Sequence, residues 1–297
     1  MIKLPEGYNY IEIYFTLRCN LNCRYCINED GGVKRIREEL KPEEWATYLN
    51  QIDYNGLPLT IGGGEPTIRK DEFYKLIDGL RPDINIDLLT NLTFNVNEFL
   101  EKVDPLKFNR RTNDAYKSIR VSYHPASMDP YKLVEKAEIL QDNGFPVGIF
   151  GINHPENVDK NVLMSEISRK KSIYFFIKDF LGVYNNHMFG YYKYPEAING
   201  ARQTCKCKTS EVLIGPEGNI YKCHYDLYRS VDPIANICEI GKPTYFDIDC
   251  KYRLCNNYGM CNPCDIKIKT NRFLQMGRCN VDIKDIKKSI GSIPNGY

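Results

Sequence analysis

The sequence predicts an α/β fold: a partial (βα)6 barrel of the TIM-like kind, followed by a small C-terminal cysteine-rich domain that binds clusters. Three features lead to it. Short apolar strands alternate with helical segments about six times through the first two-thirds of the chain. The polar motifs stand where strands end, which is where such barrels carry their chemistry. Nine of the 12 cysteines fall between positions 205 and 279, a stretch with few apolar residues for a core, and such a region needs metal to fold.

The elements follow in order. Tyr10 to Thr16 alternates apolar and polar residues and reads as a strand that ends at the first cysteines. Pro42 to Ile52 has helical spacing, with Pro42 in the first turn. Leu57 to Ile61 is a strand running into Gly62-Gly63-Gly64-Glu65-Pro66, and Asp71 to Leu80 is helical. Ile84 to Thr90 is a strand, Asn97 to Val103 a helix, and Ser118 to Tyr123 a strand that ends at His124-Pro125. Asp129 to Asp142 is a helix with Gly144 just past its end. Pro146 to Ile152 is a strand, Val158 to Arg169 a helix and Ile173 to Ile177 a strand. Six units suit an open barrel better than a closed eightfold one.

From about Val183 the alternation stops. The expected division is a barrel over 1–182, a linker rich in Tyr, Asn and Gly over 183–204, a cysteine-rich domain over 205–279, and a tail over 280–297 with a short helix at Ile283 to Ser289. Within the cysteine-rich part, Ile214 to Cys223 fits a hairpin turning at Pro216 to Asn219.

The 297 residues are 42% hydrophobic and 26% charged, with a net charge of +2 and no long run of either sign. That balance gives no reason to expect nucleic acid or a membrane surface as a partner. No stretch of 18 apolar residues occurs, and Met1 to Tyr8 shows no signal-peptide pattern, so the expected location is cytoplasmic. In a reducing compartment 12 cysteines point to metal ligation, not disulfides.

Cys19, Cys23 and Cys26 stand at CxxxCxxC spacing directly after the first strand. Three thiolates on one loop can hold three irons of a 4Fe–4S cubane and leave the fourth open, which is what a reactive metal centre needs. The alternative is a zinc site lacking its fourth ligand, although zinc sites more often show paired CxxC knuckles. At the next strand end, Gly62, Gly63 and Gly64 offer backbone without Cβ atoms, so that a ligand can approach closely. They lack the Lys and Ser/Thr of a phosphate loop. Thr90, Asn91 and Ser122 stand at or near later strand ends, either as ligand contacts or as caps of the following helices. His124 follows at the same mouth as a candidate acid–base residue, with a structural role as the alternative.

Cys19-Asn-Leu-Asn-Cys23-Arg-Tyr-Cys26 and Gly63-Gly64-Glu65-Pro66-Thr67 together resemble the radical S-adenosylmethionine superfamily, over roughly residues 10–180. The resemblance implies a 4Fe–4S cluster on the three cysteines, with S-adenosylmethionine chelating the open iron through its amino and carboxylate groups. It implies reductive cleavage of the S–C5′ bond and hydrogen abstraction from substrate by a 5′-deoxyadenosyl radical. It also implies that Gly63-Gly64-Glu65 binds the methionyl ammonium, through carbonyls and the Glu65 side chain. Thr90, Asn91 and Ser122 would contact ribose or carboxylate, and Tyr25 would shield the cluster or touch the adenine. Val147 to His154 only approximates the family's adenine-contacting strand.

Cys207, then Gly218-x4-Cys223, then Cys250-x4-Cys255-x5-Cys261-x2-Cys264 and a last Cys279 resemble the SPASM extension, which carries one or two auxiliary 4Fe–4S clusters. Two fully ligated cubanes need eight thiolates. The partition this implies is Cys205, Cys207, Cys223 and Cys264 on one cluster, with Cys250, Cys255, Cys261 and Cys279 on the other. Cys238 is then spare, although Cys205 or Cys207 is also a candidate for the free one. Paired zinc sites remain the alternative, since chelation alone does not separate zinc from iron. An unligated Cys238 or Cys205 is a candidate hydrogen donor to a substrate radical. The expected function is oxidation, epimerisation or cross-linking at an unactivated C–H of a small molecule such as a sugar or aminocyclitol, or of a peptide. The first strand begins near residue 10, which leaves no room for a built-in leader reader and shifts weight to the small molecule. The expected electron donor is a protein such as flavodoxin or ferredoxin. The competing expectation is a non-catalytic iron–sulfur or zinc scaffold.

Overall fold

Six strands with the expected alternation lie side by side and parallel, each of the first five followed by a helix. In chain order the elements are β1 (Ile2–Lys3), β2 (Tyr10–Thr16), α1 (Pro42–Leu49), β3 (Ile52–Asp53), β4 (Leu59–Gly63), α2 (Lys70–Gly79), β5 (Ile86–Thr90) and α3 (Val96–Lys102). Next come β6 (Ile119–Ser122), α4 (Pro130–Asp142), β7 (Val147–Asn153), α5 (Val158–Lys170) and β8 (Tyr174–Asp179). The structure is a computed structural model that describes residues 2–4, 7–23, 25–26, 36–108, 117–180, 182–189, 203–239, 251–258 and 281–285.

Period-two alternation assigns the two faces of the sheet. Ile11, Ile13, Leu59, Ile61, Ile86, Leu88, Ile119, Val121, Val147 and Ile149 face the helices and pack with Trp45, Leu49, Phe73, Leu76, Phe99 and Leu140 in one core. The other face is polar and buried. Glu12 accepts hydrogen bonds from the Tyr10 and Tyr14 hydroxyls at 3.1 and 3.3 Å. Arg120 Nη2 lies 3.6 Å from Asp87 Oδ2, and both side chains are buried. Burial pushes the Glu12 pKa up against the opposing pull of His224 and Arg120.

Helix ends follow local chemistry. Asn95 Oδ1 accepts from the N–H groups of Asn97 and Glu98 at the start of α3, and Asp129 Oδ1 accepts from Tyr131 and Lys132 at the start of α4. Gly144 closes α4 with φ +86°, and the Phe145 N–H reaches back to the Leu140 carbonyl.

Three expectations are corrected. The helix predicted from Pro42 to Ile52 stops at Leu49, because Ile52–Asp53 is extended and pairs in parallel with Ile2–Lys3. The expected linker contains a hairpin of β9 (Gly182–Tyr184) and β10 (His187–Phe189). Its turn residues Asn185 and Asn186 both take positive φ, the primed-turn geometry that two asparagines tolerate. The first residues of the tail helix expected at Ile283 to Ser289 belong instead to a strand, Val281–Asp285.

The remaining elements are β11 (Gln203–Thr209), β12 (Glu211–Ile214), β13 (Asn219–Tyr221), α6 (His224–Arg229), β14 (Ala235–Asn236), β15 (Arg253–Tyr258) and β16 (Val281–Asp285). The expected hairpin at 214–223 is β12–β13, with Gly218 at φ +85°. β12 pairs in parallel with β2, Ile214 opposite Ile13, on the side away from β4. Among the described residues the main sheet is therefore nine-stranded, in the order β14-β13-β12-β2-β4-β5-β6-β7-β8, with β14 and β8 at its edges. β11 is the centre of a separate antiparallel sheet, β15-β11-β16. Cys250, Cys261, Cys264, Cys279 and the tyrosine-rich positions 191–194 lie outside the described residues. Among the described residues no helix is long and apolar enough to cross a membrane.

Phe99 anchors the outer core, with its ring centroid 4.9 Å from Phe94, 5.3 Å from Phe145 and 6.3 Å from Phe108. Phe99→Ala should lower the unfolding free energy by about 3–5 kcal/mol. Leu106→Ala, at a side chain 70% exposed, should change it by less than about 0.5 kcal/mol. Urea titrations of the two variants check both.

Candidate metal-cluster and cofactor site

The carboxyl ends of β2, β4, β5, β6 and β7 gather the predicted residues. The three cysteines sit on the loop after β2, where the Cys26 N–H donates to the Cys23 carbonyl at 3.0 Å. Burial, then the neighbouring Cys26 and Cys19 thiols, push Cys23 up to about 11. Thiols coupled in this way ionise together only around a cation. That chemistry fits an iron–sulfur cluster held by Cys19, Cys23 and Cys26. Among the described residues no three His, Cys, Asp or Glu side chains converge on one ion-sized position, and a cubane does not require this, because its thiolates bind separate irons.

The glycine segment also packs closely against the chain itself. A Cβ at Gly62 would collide with the Glu12 carboxylate, one at Gly63 with the Thr16 carbonyl and one at Gly64 with the Arg18 carbonyl. The close approach is thus made by the chain itself. The Gly64 N–H donates to Thr16 O at 2.8 Å and the Glu65 N–H to Arg18 O at 2.9 Å, with Gly63 at φ +127°. The glycine segment is sewn to the base of the cysteine loop.

Glu65 is fully buried. Its Oε1 accepts from the Thr67 N–H, the Thr67 hydroxyl and the Thr90 hydroxyl, the last at 2.9 Å, while Oε2 accepts from the Asn91 N–H at 2.6 Å. Burial raises its pKa against these four donors. The carboxylate ties the end of β4 to the end of β5. Asn91 then bridges onward: its Nδ2 donates to Asn20 Oδ1 at 2.8 Å and points at Cys19 Sγ, 3.9 Å away. Asn20 Nδ2 donates to Thr93 Oγ1 at 2.8 Å, and Thr93 Oγ1 donates to Asn91 Oδ1 at 2.7 Å. Ser122 ends β6 half-buried, opposite Phe150.

Tyr25 stands between two imidazoles. Its ring stacks on His124 with centroids 5.9 Å apart and on His154 at 5.5 Å, and its hydroxyl accepts from Asn157 Nδ2 at 3.3 Å. Burial pushes His124 down to about 4, and its Nδ1 is buried without a hydrogen-bond partner among the described residues. His154 Nδ1 accepts from the Glu156 N–H at 3.2 Å, and its ring meets Phe180 and Tyr184 edge-on. His154 and Asn157 are not among the predicted site residues. The available signal is a His-Pro pair at two successive strand ends, His124-Pro125 and His154-Pro155. Glu39 also goes unanticipated: it accepts from Thr16 Oγ1 at 2.6 Å and Arg18 Nη2 at 2.6 Å, and it faces Arg69 at 3.4 Å.

The second cysteine group is partly described. Cys205 stands directly opposite Cys255 across β11 and β15, and Cys207 is two residues along on the same face. Those three pack with Tyr258, Val281 and Ile283. Burial lowers the Lys222 pKa, but Asp226, Cys223 and Cys255 together outweigh it and the net shift is upward. The expected partition puts Cys205 and Cys255 on different clusters, and the strand register sets these two side by side. A small cleft at this group is lined by Tyr8, Cys207, Thr209, Lys222, Lys251 and Arg253. Cys238 lies half-buried in a short turn of helix, with the Tyr48 phenol of α1 beside it. Cys205 in β11 and Cys238 beside α1 stand on elements other than the strand ends that surround the cysteine loop.

The family model described as the Radical SAM superfamily matches residues 13–161, just over half of the chain. Among curated proteins, the GTP 3',8-cyclase of Campylobacter curvus is 37% identical over 93 residues, covering 30% of this chain and 29% of that protein. The GTP 3',8-cyclase of Campylobacter jejuni subsp. jejuni serotype O:2 is 26% identical over 166 residues, covering 54% of this chain and 48% of that protein. The chain thus spans less than half the length of these curated relatives. Among solved structures, Streptococcus suis SuiB bound to precursor peptide SuiA has a TM-score of 0.55 at 16% identity, covering 78% of this chain and 63% of that one. Native anSMEcpe with bound AdoMet has a TM-score of 0.51 at 15% identity, covering 78% of both chains. At these identities the likeness is one of fold.

The depressed His124 pKa has a sign. Between pH 6.5 and about 4 the unfolded chain takes up a proton at this position that the folded chain refuses, so stability is full above pH 6.5 and falls with acidification. Replacing His124 by Phe should make the loss of stability between pH 7 and pH 5 smaller by up to about 2 kcal/mol, read from urea midpoints of both proteins at the two pH values.

Proposed function

The chain belongs to the radical SAM superfamily, and from that premise we propose that it is an enzyme that reductively cleaves S-adenosylmethionine and abstracts hydrogen from an unactivated C–H of a small molecule or a peptide. The observation that carries this reading is the loop of Cys19, Cys23 and Cys26, braced at the end of β4 by the N–H groups of Gly64 and Glu65 and from β5 by Asn91. When bound there, the cluster and S-adenosylmethionine supply the one-electron cleavage that yields a 5′-deoxyadenosyl radical.

The chain's own residues supply the rest. The carbonyls around Gly62, Gly63 and Gly64 receive the methionyl ammonium. Glu65, which accepts hydrogen bonds from Thr67, Thr90 and Asn91, holds those carbonyls in place. Tyr25, held between His124 and His154, covers one side of the loop and limits water access. Ser122, at the end of β6, offers the cofactor a polar contact.

The substrate we propose is a small molecule, such as a sugar or an aminocyclitol, or a peptide. Glu12, Asp87 and Glu211 are buried in the sheet interior, where Asp87 faces Arg120 and Glu211 faces His224. We further propose that residues 205–279 form a SPASM-like auxiliary cluster domain. Cys205, Cys207, Cys223 and Cys255 are the described members of its ligand set, and Cys250, Cys261, Cys264 and Cys279 complete it. The lysines and arginine at the cleft beside Cys207 would offset the negative charge of a thiolate-bound cluster. Cys238 lies outside that set, beside α1 on the helix side of the sheet and away from a substrate in the barrel mouth, and a cytoplasmic location suits the oxygen-sensitive chemistry.

The test is anaerobic reconstitution with iron and sulfide, reduction by dithionite and measurement of 5′-deoxyadenosine. The intact chain should form it, and Cys19→Ala/Cys23→Ala/Cys26→Ala should form none while losing about four irons per chain. A fully iron-loaded intact chain that leaves S-adenosylmethionine whole would make it an iron–sulfur scaffold instead.

A further inference from the structure

The three-stranded sheet β15-β11-β16 has two faces of opposite character, and strand alternation assigns them. Cys205, Cys207 and Cys255 point to one face together with Val281 and Ile283. The intervening residues point to the other. On that face Lys206 stands opposite Leu254 on one side and Lys284 on the other, and Lys208 stands opposite Asp282. Tyr252 completes it: the Lys208 ammonium lies 5.4 Å and the Lys284 ammonium 4.0 Å from its ring centroid. Lys206 and Lys284 are exposed, and Leu254 is 58% exposed.

Three ammonium groups around a tyrosine and an exposed leucine, with Asp282 the one acid among these positions, make a cationic face with an apolar centre. That composition suits a protein partner: steering charge at the rim and a desolvated aromatic–aliphatic anchor inside. The thiols behind it decide what kind of partner. Each lysine of β11 is a chain neighbour of a cysteine on the opposite face, so surface and thiols are separated by one sheet, about 10 Å or less. A carrier docked on the lysines would bring its redox group within tunnelling reach of metal held by the thiols.

We propose that the face formed by Lys206, Lys208, Tyr252, Leu254 and Lys284 is the docking site for an acidic, low-potential electron-carrier protein. This inference rests on the reading of Cys205, Cys207 and Cys255 as cluster ligands. In the step it serves, the reduced carrier loses one electron and the cluster gains it, with no bond made or broken.

The experiment uses the full chain carrying Cys19→Ala/Cys23→Ala/Cys26→Ala, reconstituted with iron and sulfide so that only auxiliary metal remains. Reduction is followed by the bleaching of cluster absorbance on mixing with flavodoxin hydroquinone, an acidic carrier, or with dithionite. Adding K206E and K284E should slow reduction by the carrier on the order of tenfold at low salt and leave the dithionite rate within about twofold. The unreversed chain should lose most of that advantage as salt is raised. Equal carrier rates with and without the two reversals, in samples of equal iron content, would overturn the docking face alone. So would a face that binds a short single-stranded oligonucleotide through Lys206 and Lys284 while carrier rates stay unchanged. A triple-alanine chain that retains no iron would overturn the cluster reading and this inference with it. Leu254→Asp, which alters the same face without touching a lysine, should reproduce the carrier-specific slowing.

Discussion

The site depends on a contact between two stretches of backbone. Gly63 and Gly64 lie so close to Thr16 and Arg18 that no side chain fits between them, and two main-chain hydrogen bonds hold the approach. This joins the end of β4 to the base of the cysteine loop before any cofactor is considered. Glu65, one residue on, extends the joint to β5 through its buried carboxylate, and Asn91 returns from β5 to Cys19. The cysteine loop, which carries little regular structure of its own, thus takes its position from a closed circuit of hydrogen bonds. On its other flank Glu39 joins Thr16, Arg18 and Arg69, while the Arg69 guanidinium lies 4.5 Å from the Phe15 ring centroid. A loose thiol loop could not hold three coupled thiols at one place, and this circuit is how the parallel sheet lends the loop its rigidity.

The sheet divides its labour between its faces. Toward the helices it is apolar and closely packed, and this face supplies most of the folding free energy. Toward the barrel interior it buries Glu12, Thr60, Asp87, Arg120 and Glu211. Buried charges of this kind add little to stability compared with well-packed apolar residues, and here they are matched among themselves, Asp87 with Arg120 and Glu211 with His224. β2 is the hinge of this arrangement. It is flanked by β4, which brings the glycine segment, and by β12, which begins the path to Cys223 and α6. The two cysteine groups are tied to one strand, Tyr14 packing edge-on against both His224 and Tyr228.

Pattern and structure part company at particular residues. Alternation locates every strand from β2 to β8 except the short β3, with ends displaced by one or two residues. Ile52 escapes it because helical spacing runs on past Asn50, while its true partner, Ile2, lies 50 positions away. Val281–Asp285 reads as tail because a strand of alternating Val, Asp, Ile, Lys and Asp has too little apolar content to stand alone. Its pairing with β11 defines it. Glu65 reads as a cofactor contact, since a carboxylate in a glycine turn looks available. That it also accepts hydrogen bonds from Thr67, Thr90 and Asn91 is a fact about two strand ends meeting.

The class of fold, the three-thiol loop and its position after the first strand are legible without coordinates, because period-two alternation and metal-ligand spacing are local properties of the chain. Packing across the molecule was needed to establish that the glycines seat the chain and not only a ligand, that His154 joins His124 around Tyr25, and that Cys255 stands with Cys205. Each of these depends on which strand ends adjoin and in what register, and register is set by the packing of the whole sheet, not by any stretch within it.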